Sequence, residues 1–157
     1  MTTANKTQSD TASNQSEVMS VAQARIVSVK SGLIGAIAVG IAAILTTGFA
    51  RITTAPLNAP DTLLAWFVNL AVAIASGFFF GVTYRYIVRQ DDNLHLSSGA
   101  VGAFGMVRSL TMIETLWQDA FTPLLWLLIA GESFLWFAIA RYTLDFAIHK
   151  DWIQPLD

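Results

Sequence analysis

The chain lacks cysteine altogether, and charged residues make up only 13% of its 157 positions. Without cysteine it forms no disulfide, no thiolate nucleophile and no cysteine-based metal site. Histidine is nearly absent too, since His95 and His149 are the only two and lie far apart in the sequence. No calcium loop, phosphate-binding loop or Ser-His-Asp pattern stands out. We therefore expect no metal, no cofactor and no catalytic residue, and hence a protein that is not an enzyme.

An excess of positive charge is also missing, because the formal net charge is −2. Proteins that bind nucleic acid usually carry a strongly basic surface, so nucleic acid is not an expected partner. Met1–Ser20 lacks an apolar run behind a basic start, so it does not read as a signal peptide. This segment is rich in small polar residues and buries too little apolar surface to offset its ordering entropy. The sequence predicts a disordered segment over 1–20 and one transmembrane domain over 21–157.

Apolar residues are abundant, at 54% of the chain, and the mean hydropathy is +0.54. An α-helix crosses a hydrocarbon core of ~30 Å with about 20 residues. Four segments are long and apolar enough to do so: Ser31–Ala50, Thr62–Val88, Ser97–Trp117 and Phe121–Tyr142. The sequence therefore predicts an all-α, multi-pass membrane protein, folded as a bundle of four transmembrane helices.

The third of these segments carries Arg108, which makes a three-span topology the alternative. An arginine at the centre of a transmembrane helix costs ~2.5–3.5 kcal/mol on the translocon scale. The distribution of basic residues nevertheless favours four spans with both termini on the cytoplasmic side. In that topology only Arg51 lies in an outer loop, and the inner side holds Lys6, Arg25, Lys30, Arg85, Arg89, Arg141 and Lys150.

Two pairs of short segments match each other along the chain. Ser31–Ile37 is similar to Ser98–Phe104, and Phe78–Tyr86 is loosely similar to Phe134–Tyr142. Because the matches keep their order, they indicate two tandem helical hairpins in the same orientation. Short matches rich in glycine and alanine also arise by chance in membrane helices, so duplication and chance both stay open.

Small residues recur at helical spacing and predict surfaces for close helix packing or for binding a partner protein. Small side chains let two helix backbones approach closely in a membrane. The residues concerned lie on the first three predicted spans: Gly32, Ala36, Gly40, Gly77, Gly81, Gly99, Gly102 and Gly105.

A few polar residues lie inside the predicted spans. Asn69 and Ser76 share one face of the second span, and polar groups in a membrane should face protein. Arg108 and Glu132 are each placed near the middle of the bilayer on antiparallel helices, so the sequence predicts a buried ion pair between them. Ionisable groups in this position mark functional sites, but they also stabilise bundles and subunit interfaces.

One stretch of the chain carries a resemblance to known proteins. It runs from Gly81-Val82-Thr83-Tyr84-Arg85-Tyr86 through Asn93, Leu96 and Gly99 to Ala103-Phe104-Gly105-Met106-Val107-Arg108, about a fifth of the sequence. This stretch resembles small integral membrane proteins of cyanobacteria and plastids. The resemblance implies a photosynthetic membrane, in particular the thylakoid, and it supplies no catalytic residue.

Two functions follow as hypotheses. The first is a non-catalytic accessory or assembly subunit, surrounded by membrane lipids, that packs against a larger membrane complex involved in photosynthesis. The second is a small ion or solute channel or transporter that uses the buried Arg-Glu pair. A dry, tightly packed bundle is expected for the first, and a water-filled path to Arg108 for the second.

Overall fold

The computed structural model describes residues 2–52, 62–88, 94–116 and 123–153. These residues form four helices, α1 (Thr2–Ile52), α2 (Leu63–Ile87), α3 (Leu94–Leu116) and α4 (Pro123–His149), and no strand. Each contains a stretch long and apolar enough to cross a membrane, and these spans are Ala22–Phe49, Leu63–Ile87, His95–Glu114 and Trp126–His149. The all-α, four-helix membrane fold predicted from the sequence is therefore confirmed.

Helix α1 is much longer than its membrane span. Its backbone is helical from Thr2, twenty residues before the span begins at Ala22. Neither glycine nor proline occurs between Thr2 and Ser31, so no residue in that segment breaks the helix. The disorder expected for 1–20 concerned that segment in isolation, and it stays a prediction.

The helices pack in a ring with one diagonal contact. α1 has its largest interface with α2, α3 has its largest with α4, and α1 also packs on α4. α2 makes smaller contacts with both α3 and α4, whereas the described parts of α1 and α3 do not touch. Because α2 and α4 each pack against every other helix, they hold the two hairpins together.

The two ends of the bundle differ in the elements found there. We call the end where the span of α1 begins the inner end; there α2 ends, α3 begins and α4 ends. At the opposite, outer end the span of α1 ends, α2 begins, α3 ends and α4 begins. The distribution of basic residues predicts that the inner end faces the cytoplasmic side.

Single-cysteine labelling can test this orientation, because the chain contains no cysteine of its own. Leu63 at the outer end and Lys150 at the inner end are both exposed. We expect Leu63→Cys to react with an impermeant maleimide only from the outside, and Lys150→Cys only from the cytoplasmic side. Labelling of both variants from one side would contradict the four-span topology.

A tight reversal ends α4. The helix ends at His149. The N–H of Trp152 donates to the carbonyl of Ala147 (2.9 Å), and the N–H of Asp151 donates to that of Ile148 (3.0 Å). With Asp151 in the left-handed region (φ 57°), this is a Schellman motif, which satisfies carbonyls that the helix end leaves unpaired. The reversal returns Ile153 to the core, where it is 1% exposed.

Glycine suits the left-handed position better than aspartate because it has no Cβ to clash with the neighbouring carbonyl. Asp151→Gly should therefore raise the free energy of unfolding by about 1 kcal/mol. Asp151→Ala is the matched control and should lower the free energy of unfolding. Alanine keeps the Cβ, but it lacks the short polar side chain that lets aspartate adopt the left-handed conformation through local hydrogen bonds. Equal stability of the two variants would show that the reversal does not constrain this residue.

The centre of the bundle is a layer of three phenylalanines. Phe80 of α2, Phe104 of α3 and Phe137 of α4 contact one another, with ring centroids 5.2 to 5.5 Å apart. Phe80 and Phe137 are almost completely buried. This aromatic layer lies between two polar clusters, one toward each end of the bundle.

Candidate functional site

The first set of predicted residues forms a glycine seam between α1 and α2. A Cβ added at Gly35 or at Gly81 would strike backbone atoms of the opposite helix, and one added at Gly77 would lie 2.6 Å from the carbonyl oxygen of Gly35. A Cβ on Gly32 would lie 2.6 Å from the ring of Phe78. The two backbones are therefore in direct contact, as small-residue motifs allow in membranes.

The seam also contains a hydrogen bond. The hydroxyl of Ser31 donates to the carbonyl oxygen of Gly81 over 2.6 Å, and Ser31 is 1% exposed. Gly40 and Ala36 continue the buried side of α1, and a Cβ on Gly40 would lie 3.2 Å from Ile74 of α2. The small residues of these two helices thus pack on each other within the bundle.

The glycines of α3 behave differently from those of the seam. A Cβ on Gly105 would lie 2.9 Å from the ring of Phe134 on α4, so Gly105 serves packing within the bundle. A Cβ on Gly99 or Gly102 would meet nothing within 4 Å. Among the predicted packing residues, these two remain on an open face.

The outer polar cluster takes one residue from each helix. Nη2 of Arg108 on α3 donates to Oδ1 of Asn69 on α2 over 3.2 Å. The same guanidinium lies over the ring of Trp136 on α4, with Cζ 3.9 Å from the ring centroid. Nε1 of Trp136 in turn donates to Oγ1 of Thr46 on α1 over 3.2 Å. A cation–π contact flanked by two hydrogen bonds therefore connects all four helices.

Arg108 and Glu132 do not form the predicted ion pair. Within the described parts of the chain the only ion pair closer than 4.0 Å joins Arg141 and Asp145. The place expected for Glu132 is taken by Trp136, which lies four residues later on the same face of α4. One helical turn, about 5.4 Å, separates the two positions.

These polar residues also lie nearer to the outer end than to the middle of the membrane. Asn69, Arg108 and Glu132 are each six residues from the outer end of their span. At about 1.5 Å per residue, this places the three Cα atoms about 9 Å below that end. A long side chain such as arginine can reach the headgroup region from this depth, which lowers the cost of its charge.

Ser76 does not belong to the outer polar cluster. Its hydroxyl donates to the carbonyl of Val72 on its own helix over 2.7 Å, and so it connects no other helix. The inward orientation of the helix face that contains Asn69 and Ser76 is nevertheless visible in its apolar members. Ala73 and Phe80 on that face are both 0% exposed.

An inner polar cluster connects α2, α3 and α4. The hydroxyl of Tyr84, itself 1% exposed, donates to Oδ1 of Asp145 over 2.5 Å. Oδ2 of the same carboxylate lies 3.6 Å from Nε of Arg141, and Nη1 of Arg141 donates to Oγ of Ser98 over 3.3 Å. A single carboxylate thus joins a buried tyrosine on α2 to an arginine on its own helix.

Tyr84→Phe should lower the free energy of unfolding by about 2 kcal/mol, because hydrogen bonds to charged groups contribute about 1.5–3 kcal/mol. The change removes only the hydroxyl and keeps the ring that stacks on Phe80 at 5.5 Å. Tyr142→Phe is the control, since Tyr142 is 70% exposed and should show no measurable effect. Reversible unfolding in mixed detergent micelles measures both, and equal effects would contradict the role of this hydrogen bond.

A third polar contact fixes α2 to α1 near the inner end. Arg85 is only 4% exposed, and its Nη1 donates to the carbonyl of Ala24 (2.8 Å) and to Oγ of Ser28 (2.6 Å). Ser28 also donates to the hydroxyl of Tyr86 over 3.2 Å. Arginine's planar fork suits such a multiple contact.

Several of these residues were not predicted from the sequence. Trp136 and Thr46 gave no signal beyond an aromatic and a hydroxyl in apolar helices, and Asp145 lay beyond the expected end of the fourth span. Gly35 could have been found from its spacing, because Gly32, Gly35 and Ala36 lie within one turn of α1.

The described residues contain no group of three or more histidine, aspartate or glutamate side chains able to hold a metal ion. Comparison with protein families, with curated proteins and with solved structures finds no match to this chain. The resemblance to cyanobacterial and plastid membrane proteins therefore stays a prediction.

Proposed function

We propose that this protein is a non-catalytic membrane subunit that packs against a larger membrane complex and does not turn over a substrate. The observation that carries the proposal is the aromatic layer of Phe80, Phe104 and Phe137, which fills the bundle between the outer and inner polar clusters. A conduit needs polar groups or water along its length. The packing of these rings supports a dry bundle, which is expected of a protein that holds a neighbour.

Helix α3 is the part of the bundle best suited to that neighbour. It does not touch α1, and its contact with α2 is small. Gly99 and Gly102 leave room for another backbone, since a Cβ there would meet nothing within 4 Å. Apolar side chains next to them, including Met106 at 56% exposed and Val107 at 67%, would flank an approaching helix. The proposed contact is therefore a transmembrane helix of another subunit laid along α3.

The proposal extends to location. The resemblance of the stretch from Gly81 to Arg108 favours a photosynthetic membrane, so we place the complex in the thylakoid. Separating thylakoid from plasma membranes and locating the tagged protein tests this part alone. Recovery in the plasma membrane would contradict the proposed photosynthetic complex, but it would leave the proposed role as a subunit in place.

A bulky side chain at Gly102 should release the neighbour and leave the isolated protein folded. Gly102→Leu is compared with Gly48→Leu, because a Cβ at Gly48 also meets nothing within 4 Å but lies on α1. We expect the large complex seen for the wild type in mild detergent to be lost only in Gly102→Leu. A wild-type protein that migrates alone, or equal behaviour of the two variants, would contradict the proposal.

A small ion or solute transporter is the second candidate, and the outer polar cluster favours it, because Arg108 places a charge within the membrane. Flux through liposomes that contain the purified protein distinguishes the two functions. Flux that disappears in Arg108→Leu would favour transport and overturn the role as a subunit.

A further inference from the structure

Arg108 uses little of its capacity for hydrogen bonding. A guanidinium has five N–H donors, and the described residues accept only one bond from Arg108, at Asn69. Glu132, which lies at the same depth, forms no ion pair closer than 4.0 Å among the described residues. An unpaired charged group inside a membrane is unfavourable in free energy. Two such groups at the same depth therefore favour the binding of a molecule that pairs with them.

Both charged groups also reach the molecular surface. Arg108 and Glu132 are each half-buried, so part of each side chain is accessible from outside the bundle. An external molecule can therefore approach both residues.

The arrangement of the two charges selects the class of ligand. Arg108 is held in place by Asn69 and by the ring of Trp136, so its guanidinium is oriented before any ligand arrives. Glu132 lies at the same depth as Arg108 on the helix that packs against α3, but the two side chains are not within 4.0 Å of each other. A simple anion would be attracted by the arginine and repelled by the carboxylate. A molecule with one charge of each sign would satisfy both groups.

We propose that Arg108 and Glu132 are the positive and the negative group of a binding site for a small zwitterion. This zwitterion carries an oxyanion and a primary ammonium. The oxyanion accepts hydrogen bonds from the guanidinium, and the ammonium donates to the carboxylate of Glu132. Both are charge-assisted hydrogen bonds, the stronger kind. At about 9 Å below the outer end of the helices, the site lies within reach of the ethanolamine phosphate headgroup of a phospholipid. A free ethanolamine phosphate in the outer solution has the same chemistry.

Retention of lipid by the full-length protein tests the site. The purified chain is mixed with phosphatidylethanolamine or with phosphatidylglycerol of the same acyl chains, and bound lipid is counted by native mass spectrometry. Glu132→Gln should lower retention of phosphatidylethanolamine about tenfold and leave phosphatidylglycerol equal or raised, because only the first lipid carries an ammonium. Arg108→Gln should lower the retention of both. Glu114→Gln and Arg25→Gln, which change exposed charges, are the controls and should alter neither.

A second arm identifies the source of the zwitterion. Ethanolamine phosphate is titrated against the protein in detergent, with the fluorescence of Trp136 as the reporter and Trp136→Phe as its control. Saturable binding that Glu132→Gln weakens, together with no selective retention of phosphatidylethanolamine, would assign the site to a soluble zwitterion. Retention of phosphatidylethanolamine that is unchanged or raised in Glu132→Gln overturns the proposal, because the site would then bind anions only or nothing. Glu132→Gln removes a charge that forms no ion pair with a described residue, so we expect this variant to fold as the wild type does.

Discussion

Gly81→Val should lower the free energy of unfolding by about 3 kcal/mol, the upper part of the range for overpacked sites. A side chain at Gly81 would strike the backbone of α1 at Ser31, which cannot move aside as a flexible side chain could. The two helices would have to separate, and the hydrogen bond from Ser31 to the Gly81 carbonyl would be lost as well. Steric trapping or reversible unfolding in mixed micelles gives the free energy.

The matched control for this change is Gly102→Val on α3. It introduces the same side chain into a transmembrane helix, but a Cβ there meets nothing within 4 Å. We expect an effect within about 0.5 kcal/mol of zero, as for surface substitutions in general. If both valines destabilise equally, the cost comes from valine in a helix, and the glycine seam is not the reason.

Trp136→Ala should be the most damaging single truncation in the outer polar cluster, at about 3–5 kcal/mol. The ring is 1% exposed and belongs to the hydrophobic core, so its removal leaves a cavity there. It also takes away the surface on which the Arg108 guanidinium lies and the donor to Thr46. Both α1 and α3 would lose a contact with α4.

Trp136→Phe separates these contributions, because it keeps an aromatic ring under Arg108 and loses the Nε1–H donor. It should cost clearly less than the alanine variant. Trp152→Ala tests the effect of losing a tryptophan in general, and as Trp152 is 60% exposed we expect little change. Equal losses in Trp136→Phe and Trp136→Ala would contradict the importance of the stacked ring.

The number and class of the helices could be predicted from the sequence because they depend on local composition. A run of about 20 apolar residues crosses a membrane whatever its neighbours are. The position of the helix ends was less predictable, as the reversal at Asp151 and the extension of α1 to Thr2 illustrate. The end of a helix depends on capping residues and on residues such as glycine and proline that interrupt a helix. A small number of residues therefore decides where a helix ends.

The partners of the predicted site residues were less predictable than the residues themselves. Gly77 and Gly81 indicated a close approach of two backbones, but small residues do not specify which helix approaches, and the partner is α1. Arg108 was recognised as the key charge, yet its contact on α4 is Trp136, one turn from Glu132. Equal depth in the membrane does not determine which side chains meet, because that depends on the direction in which each side chain points.

The two helical hairpins pack differently although short segments of their sequences are similar. Gly81 in the first hairpin corresponds to Phe137 in the second, where Phe134 and Phe137 fill the space beside α3. Backbones meet in the first pair, and rings separate them in the second. Similar short segments can therefore support different interfaces when one aligned position changes from glycine to phenylalanine.

During synthesis the contacts of this bundle become available in the order of the chain. α1 and α2 are consecutive and share the largest interface, so they can pair in the membrane before later segments leave the ribosome. α3 then enters without any contact to α1, and Arg108 at first has only Asn69 of α2 to bind. The ring that covers its charge arrives last, on α4. The charge of Arg108, the one arginine of α3, is therefore shielded only when the synthesis of the chain is complete.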